Sequence, residues 1–242
     1  MLENLFTDLK MHAASGYYKN LGRDPVIDTH VLIGMFQEEL AARRDRSKKM
    51  RLRLARFPVN KEWMEIDTSL NPKIDFKKIE RHFDGEFVDE KRNLCLMGTP
   101  GSGKTHSLIA LGRELCRQGK TVKFYTACEL VNLLEEAKKE LKLSRLMKKM
   151  RGPKLLIIDE LGFIPFSENG ARLLFDVFAS RYERGSIAVS TNLSFNKWIQ
   201  VLGAVELTAA LVDRFTHNAH VFNFFEGRSI RHLQTTQGKS RD

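Results

Sequence analysis

Gly98-Thr99-Pro100-Gly101-Ser102-Gly103-Lys104-Thr105 is the stretch that decides the fold. It fits G-x-x-x-x-G-K-[ST] and stands between a short apolar run, 94–97, and an amphipathic stretch, 107–118, so strand, glycine turn and helix follow one another as the motif requires. Glycines let backbone N–H groups turn inward around phosphate oxygens, and the following helix points its positive end at the same anion. In that frame Lys104 reaches the β- and γ-phosphates, and the Thr105 hydroxyl can ligate Mg2+.

Downstream, the rhythm of strand and helix continues. Apolar runs at 122–126, 155–158, 187–191 and 221–225 read as strands, and 129–150, 168–183, 195–202 and 207–215 as helices. Such alternation means a parallel sheet covered on both faces, here the α/β core of a P-loop NTPase with five strands.

Two further constellations fall at strand ends, where open α/β sheets hold ligands. In Leu155-Leu156-Ile157-Ile158-Asp159-Glu160 a buried strand closes on two carboxylates. Asp159 would hold Mg2+ together with Thr105, and Glu160 would orient and deprotonate an attacking water. Asn192, in Ser190-Thr191-Asn192, is placed to hydrogen-bond that water and the γ-phosphate. An arginine is still needed to neutralise transition-state charge, often from a neighbouring subunit. Arg181, Arg184, Arg214, Arg228 and Arg231 all qualify, and periodicity does not choose among them.

Upstream, residues 1–57 read as a helical domain. Leu2, Leu5, Phe6 and Leu9 form one stripe, which Gly16 closes. From Asp28, a fair N-cap, a long helix runs through Val31, Leu32, Met35, Phe36 and Leu40 and ends at Phe57-Pro58. Residues 58–92, punctuated by Pro72 and Gly85, read as a connector leaning on the ATPase domain, 93–242.

The net charge of +10 is concentrated in two blocks, one containing Arg43, Arg44, Lys48 and Lys49, the other Lys138, Lys139, Lys142, Arg145, Lys148 and Lys149. Together they point to phosphate-backbone contacts, with sequence-tolerant and salt-sensitive DNA binding. No apolar run approaches a membrane span, and Glu3 with no basic region ahead of an apolar block is not a secretory leader. Three cysteines without paired spacing point to the cytosol and exclude a disulfide scaffold. The seven histidines lack zinc spacing, and no LSGGQ-like signature precedes Asp159-Glu160, which argues against a transporter-type ATPase. Trp63 and Trp198 read as packing anchors.

As a set, the motifs resemble the IstB family, ATPase helpers of bacterial insertion sequences that are similar to DnaC-type helicase loaders within the AAA+ initiator clade. The resemblance rests on Ala55-Arg56-Phe57-Pro58, Asn71-Pro72-Lys73-Ile74-Asp75, the phosphate loop with His106, Ile158-Asp159-Glu160-Leu161-Gly162, Ser180-Arg181-Tyr182-Glu183-Arg184, Ser190-Thr191-Asn192 and Leu211-Val212-Asp213-Arg214-Phe215. It implies ATP held between adjacent subunits of a homo-oligomer, with Arg214 as the finger reaching into the neighbour's site and Arg231 as a second sensor. It also implies duplex DNA wrapped or bent, a DDE-type transposase recruited and stimulated, and a location in the bacterial cytosol. The 17 residues after Phe225 are too few for a full AAA+ lid, a truncation IstB and DnaC proteins share. Glu226-Gly227-Arg228-Ser229-Ile230-Arg231 departs from the Gly-Glu-Ser-Tyr-Arg of many relatives. A DnaC-like helicase loader is the alternative, although 1–90 lacks the cysteines of its zinc-bearing branch. A DNA-binding protein using ATP only as an assembly clamp is a third reading, opposed by the intact Asp159-Glu160 pair.

Overall fold

A computed structural model describes residues 6, 9–20, 29–226 and 229. The chain divides into two compact units, Met1–Met50 and Arg51–Asp242.

The first unit contains α1 (His12–Asn20) and most of α2 (Thr29–Ala55). Phe6, Ala14 and Met35 form its small core. Glu39, 3% exposed, is buried there, accepting the Ala13 N–H at 3.0 Å and the guanidinium groups of Arg43 at 2.7 Å and Arg46 at 3.0 Å. Burial pushes its carboxyl up, but the Arg43 bond and the Ala13 and Ala14 N–H groups more than offset that and hold it below the ordinary value.

Gly16 does not close a helix as the sequence reading expected; it lies inside α1, and the chain turns instead at Lys10, whose φ is 54°. Leu9, expected on the buried stripe, is 60% exposed. Leu2, Leu5 and the expected N-cap Asp28 lie outside the described residues. On α2, Leu32, Ile33, Phe36 and Leu40 are exposed, so Met35 alone of its apolar series is buried. The helix stops at Ala55, and Arg56 takes φ 62° ahead of Phe57-Pro58.

In the second unit, five parallel strands lie in the order β2-β3-β4-β1-β5: β1 (Asn93–Gly98), β2 (Val122–Thr126), β3 (Leu155–Leu161), β4 (Ser186–Thr191) and β5 (Ala219–Phe224). Their continuous apolar runs are dictated by cover on both faces. One face packs beneath α5 (Lys104–Arg117) and the connector, with Leu94, Leu96, Leu108, Ile109 and Ile157 in one core. The connector carries α3 (Phe76–Glu80) and α4 (Glu86–Asp89), and its Ile74, Phe76, Ile79, Phe87 and Val88 belong to that same core.

The opposite face packs against α6 (Ala127–Lys139), α7 (Leu143–Arg151), α8 (Glu168–Arg181), α9 (Ile199–Leu202) and α10 (Val205–Thr216). Trp198, 1% exposed, anchors this side against Phe195 and Phe215.

The single helix expected over 129–150 is two. Leu141 takes φ 58°, and the turn is closed by Lys142 N–H to Ala137 O at 2.7 Å and Leu141 N–H to Lys138 O at 3.2 Å. No glycine or proline announces this break, which is why helical periodicity ran through it.

Among the described residues no helix is long and apolar enough to cross a membrane, and no three His, Cys, Asp or Glu side chains cluster as a metal site. Cys95 and Cys116 are buried free thiols, and burial raises Cys116 to about 11.

Candidate nucleotide site

The site forms where β1, β3 and β4 end. β1 terminates at Gly98, where β5 approaches so closely that a Cβ would run into the Phe224 backbone, so only glycine fits. Gly103 caps α5, and Lys104 opens it. Lys104 is 8% exposed, and its ammonium folds back on the loop, donating to Gly98 O at 2.8 Å and Thr99 O at 2.7 Å, within 3.5 Å of Ser102 Oγ. Ser102 Oγ donates to Thr99 O at 2.8 Å. Thr99-Pro100-Gly101 forms the outer rim, and Ser229 lies against Gly101, so the chain beyond β5 returns to the loop.

Thr105 Oγ1 donates to Asp159 Oδ1 at 3.1 Å. Ser190 Oγ donates to the same carboxylate oxygen and accepts the Glu160 N–H at 2.9 Å. One hydroxyl on β4 therefore ties together two adjacent acids on β3. Asp159 is 2% exposed, and burial raises its carboxyl above the ordinary value, against the Ser190 and Thr105 hydroxyls, the Glu160 N–H and the Lys104 charge, which lower it. The Thr105 hydroxyl and Asp159 carboxylate are an all-oxygen donor pair of the kind that suits a hard cation such as Mg2+.

Glu160 is exposed and takes φ 59°, at a register shift in the pairing of β3 with β4 between Ile158 and Leu161. A left-handed conformation costs a glutamate roughly 1–2 kcal/mol, offset by the pairing around it. Asn192 follows β4, its Oδ1 buried without a hydrogen-bond partner among the described residues. A Cβ on Gly162 would come within 2.6 Å of that oxygen.

The connector supplies a wall that the sequence reading did not see. Val59, Ile66 and Asp67 face Gly101, Thr105 and His106 across a cavity of about 310 Å³. The ring of His106 is held there, its Nε2 2.8 Å from Glu62 O, and Glu62 in turn binds Arg113 at 2.7 Å. The apolar positions after Pro58 carried a weak signal for this wall, but local pattern does not say what they cover.

Residues 4–238 match the family described as IstB-like ATP binding protein. The chain belongs to that family. It is 33% identical over 212 residues to the "Insertion sequence IS5376 putative ATP-binding protein" of Geobacillus stearothermophilus, covering 87% of this chain and 84% of the relative. It is also 33% identical over 235 residues to the "Insertion sequence IS21 putative ATP-binding protein" of Pseudomonas aeruginosa, covering 95% and 88%. Among solved structures, the DnaC helicase loader superposes with TM-score 0.53 at 19% identity, over 61% of this chain and 86% of that one. A DNA replication initiation factor superposes with TM-score 0.59 at 18% identity, over 76% and 55%. The fold is thus that of the AAA+ P-loop NTPases.

The arginines of this IstB-like chain separate by burial. Arg181 is 1% exposed, donating to Met150 O at 2.6 Å, Pro153 O at 3.0 Å and Ser186 O at 2.8 Å; burial lowers it to about 10. It binds its own backbone and is no finger candidate. Arg184 is exposed. Arg214, on α10, is exposed over the Phe175 ring at 4.9 Å and shares a cleft with Asn93 and Ile187, at the starts of β1 and β4. The phosphate loop lies at the other end of β1, roughly 15–20 Å away for a strand of that length. Arg214 therefore does not reach the phosphate loop of its own chain. Arg228 and Arg231 lie outside the described residues.

In the first basic block Arg43 is bound to Glu39 and Lys49 to Asp45 at 2.7 Å, while Arg44 is exposed and Lys48 half-buried. In the second, Lys138 bonds Asn169 and Lys142 pairs with Glu140 at 2.7 Å. Lys139, Arg145, Lys148 and Lys149 are exposed with no carboxylate partner among the described residues.

Proposed function

We propose that this chain hydrolyses ATP in assemblies formed on duplex target DNA, and that the assembled state recruits and stimulates a DDE-type transposase in the bacterial cytosol. The observation that carries the reading is the division of the site: Thr105, Asp159, Ser190 and Glu160 are joined at one end of the sheet, while Arg214 stands exposed at the other. A site divided in this way is completed by a second subunit offering its Arg214. The names of the insertion-sequence relatives support the transposition setting. The exposed Leu32, Ile33, Phe36 and Leu40 support a role for residues 1–57 in oligomer or partner contact, ahead of a connector at 58–92 and an ATPase domain from 93.

In the proposed reaction the loop N–H groups and Lys104 hold the phosphates. Thr105 and Asp159 would hold Mg2+, which when bound supplies charge neutralisation at the phosphates. Glu160 orients and deprotonates the water that attacks the γ-phosphate. The Asn192 side chain, whose oxygen has no partner among the described residues, fixes that water and the γ-phosphate by hydrogen bonds. Arg214 of the adjacent subunit neutralises charge in the transition state.

The test is ATP turnover with and without duplex DNA, beside sizing of the E160Q variant with ATP on DNA fragments. Turnover stimulated by duplex, and a large discrete E160Q assembly on it, are the expected results. The fold likeness to DnaC favours a helicase loader as the second reading. Turnover indifferent to duplex, with assembly only on single strands or a helicase, would replace the first reading with it.

A further inference from the structure

The turn between α6 and α7 ends in a leucine that packing does not explain. Leu141 is 95% exposed, and among the described non-glycine residues with positive φ it is the only apolar one. It occupies the position after a helix where the left-handed backbone favours glycine. A leucine here adds strain to the turn and contributes no buried surface in return.

Its surroundings are cationic and rigid. Lys138, Lys139 and Lys142 bracket it, Lys138 bonded to Asn169 and Lys142 paired with the adjacent Glu140 at 2.7 Å, and the exposed Arg145 and Lys148 follow on α7. On the other side of that helix Leu143, Leu146, Met147 and Met150 join the core beneath the sheet, so the tip is anchored from below. A protein-docking patch would need a contiguous apolar surface depleted in lysine. One apolar side chain in a turn whose cations outnumber its single acid, Glu140, has the opposite composition, and it fits the combination of stacked bases and phosphates.

We propose that Leu141 is a wedge that enters a base step of duplex DNA while Lys139, Arg145 and Lys148 hold the flanking phosphates, so that each bound subunit unstacks and kinks the duplex. The proposal rests on the DNA-binding reading above and adds the residue that would distort the DNA. The bases are splayed by the apolar tip, and the phosphates only position it.

The experiment uses the full-length protein with AMPPCP, Mg2+ and short duplexes carrying 2-aminopurine at successive positions and a dye pair at their ends. The wild type should raise 2-aminopurine fluorescence at defined steps and shorten the end-to-end distance. L141G should melt no lower than the wild type, since glycine suits the turn, and should bind with the same salt dependence, yet lose both the fluorescence rise and the bend. L141F should restore them. Undiminished distortion by L141G would overturn the wedge while leaving DNA binding intact. Loss of self-association by L141G without DNA would overturn it too, by seating Leu141 in another protein chain. If the wild type bound no duplex, the DNA-binding reading would fall and the wedge with it.

Discussion

Replacing Asp159 with asparagine should stabilise the fold while ending turnover. Burial is the largest influence on this carboxyl and raises it above its ordinary value of 3.8, despite the bonds from Ser190 and Thr105. The native state therefore holds the Asp159 proton more tightly than the unfolded chain does. Between 3.8 and the raised folded value the folded state carries the extra proton, so this residue's contribution to stability falls as pH rises through that window. Below the window the penalty is absent, and above it the penalty is complete. Asparagine keeps an oxygen to accept from Thr105 Oγ1 and Ser190 Oγ and carries no charge. The gain at neutral pH should be about 1–2 kcal/mol, the size that single stabilising substitutions commonly reach. For a chain of 242 residues each kcal/mol moves Tm by about 2–4 °C. Thermal unfolding in EDTA, at neutral pH and again near the bottom of the window, measures both arms. The variant should melt higher at neutral pH, and the two proteins should converge at acid pH. A D159N protein less stable than wild type at neutral pH, or a difference that does not shrink on acidification, would refute the reasoning.

Other expectations are briefer. R181M should lose about 3–5 kcal/mol by urea unfolding, because the Met150 and Pro153 carbonyls are left buried without their donor. R214A should unfold within about 1 kcal/mol of wild type, the worth of an exposed contact with Phe175, yet lose turnover. Mixing it with K104A should restore part of the activity, since each K104A subunit still offers its Arg214 to a neighbour; no recovery would count against action in trans. G162A should press its methyl on Asn192 and lower kcat with little change in KM, read by steady-state kinetics. E160Q should keep ATP affinity and slow turnover by about 10²–10⁴.

What was legible in the sequence was local. The phosphate loop, the Asp159-Glu160 pair and the strand before each are written in contiguous residues, because a backbone cradle and a strand tip are built from neighbours in the chain. Ser190 was legible only as part of a polar tip. Its bridge between Asp159 and the Glu160 N–H depends on β3 and β4 being paired, which no window of sequence contains. The arginines failed for the same reason: Arg181 and Arg214 have equal chemistry, and burial among the Met150, Pro153 and Ser186 carbonyls separates them only after folding. Leu141 broke the helix where no turn-forming residue advertised it. The wall at Val59 and Ile66 needed the connector to fold back over α5.

The two acids of β3 owe their different environments to one backbone feature. In an undisturbed strand, neighbours point to opposite faces of the sheet, and in a sheet covered on both faces each would be buried. The register shift and the φ of 59° at Glu160 release that constraint, leaving Asp159 2% exposed and Glu160 in solvent one residue later. Burial then raises the first carboxyl and fits it to share a cation with Thr105, while exposure leaves the second open to water. The Ser190 hydroxyl closes the arrangement, because its bond to the Glu160 N–H holds the strained residue and its own proton goes to Asp159. Any change in what Asp159 binds thereby alters the acceptor that holds Glu160 in place. Asn192 lies two residues beyond Ser190 on the same β4 tip, so the water-orienting groups and the cation-holding group are coupled through a single side chain.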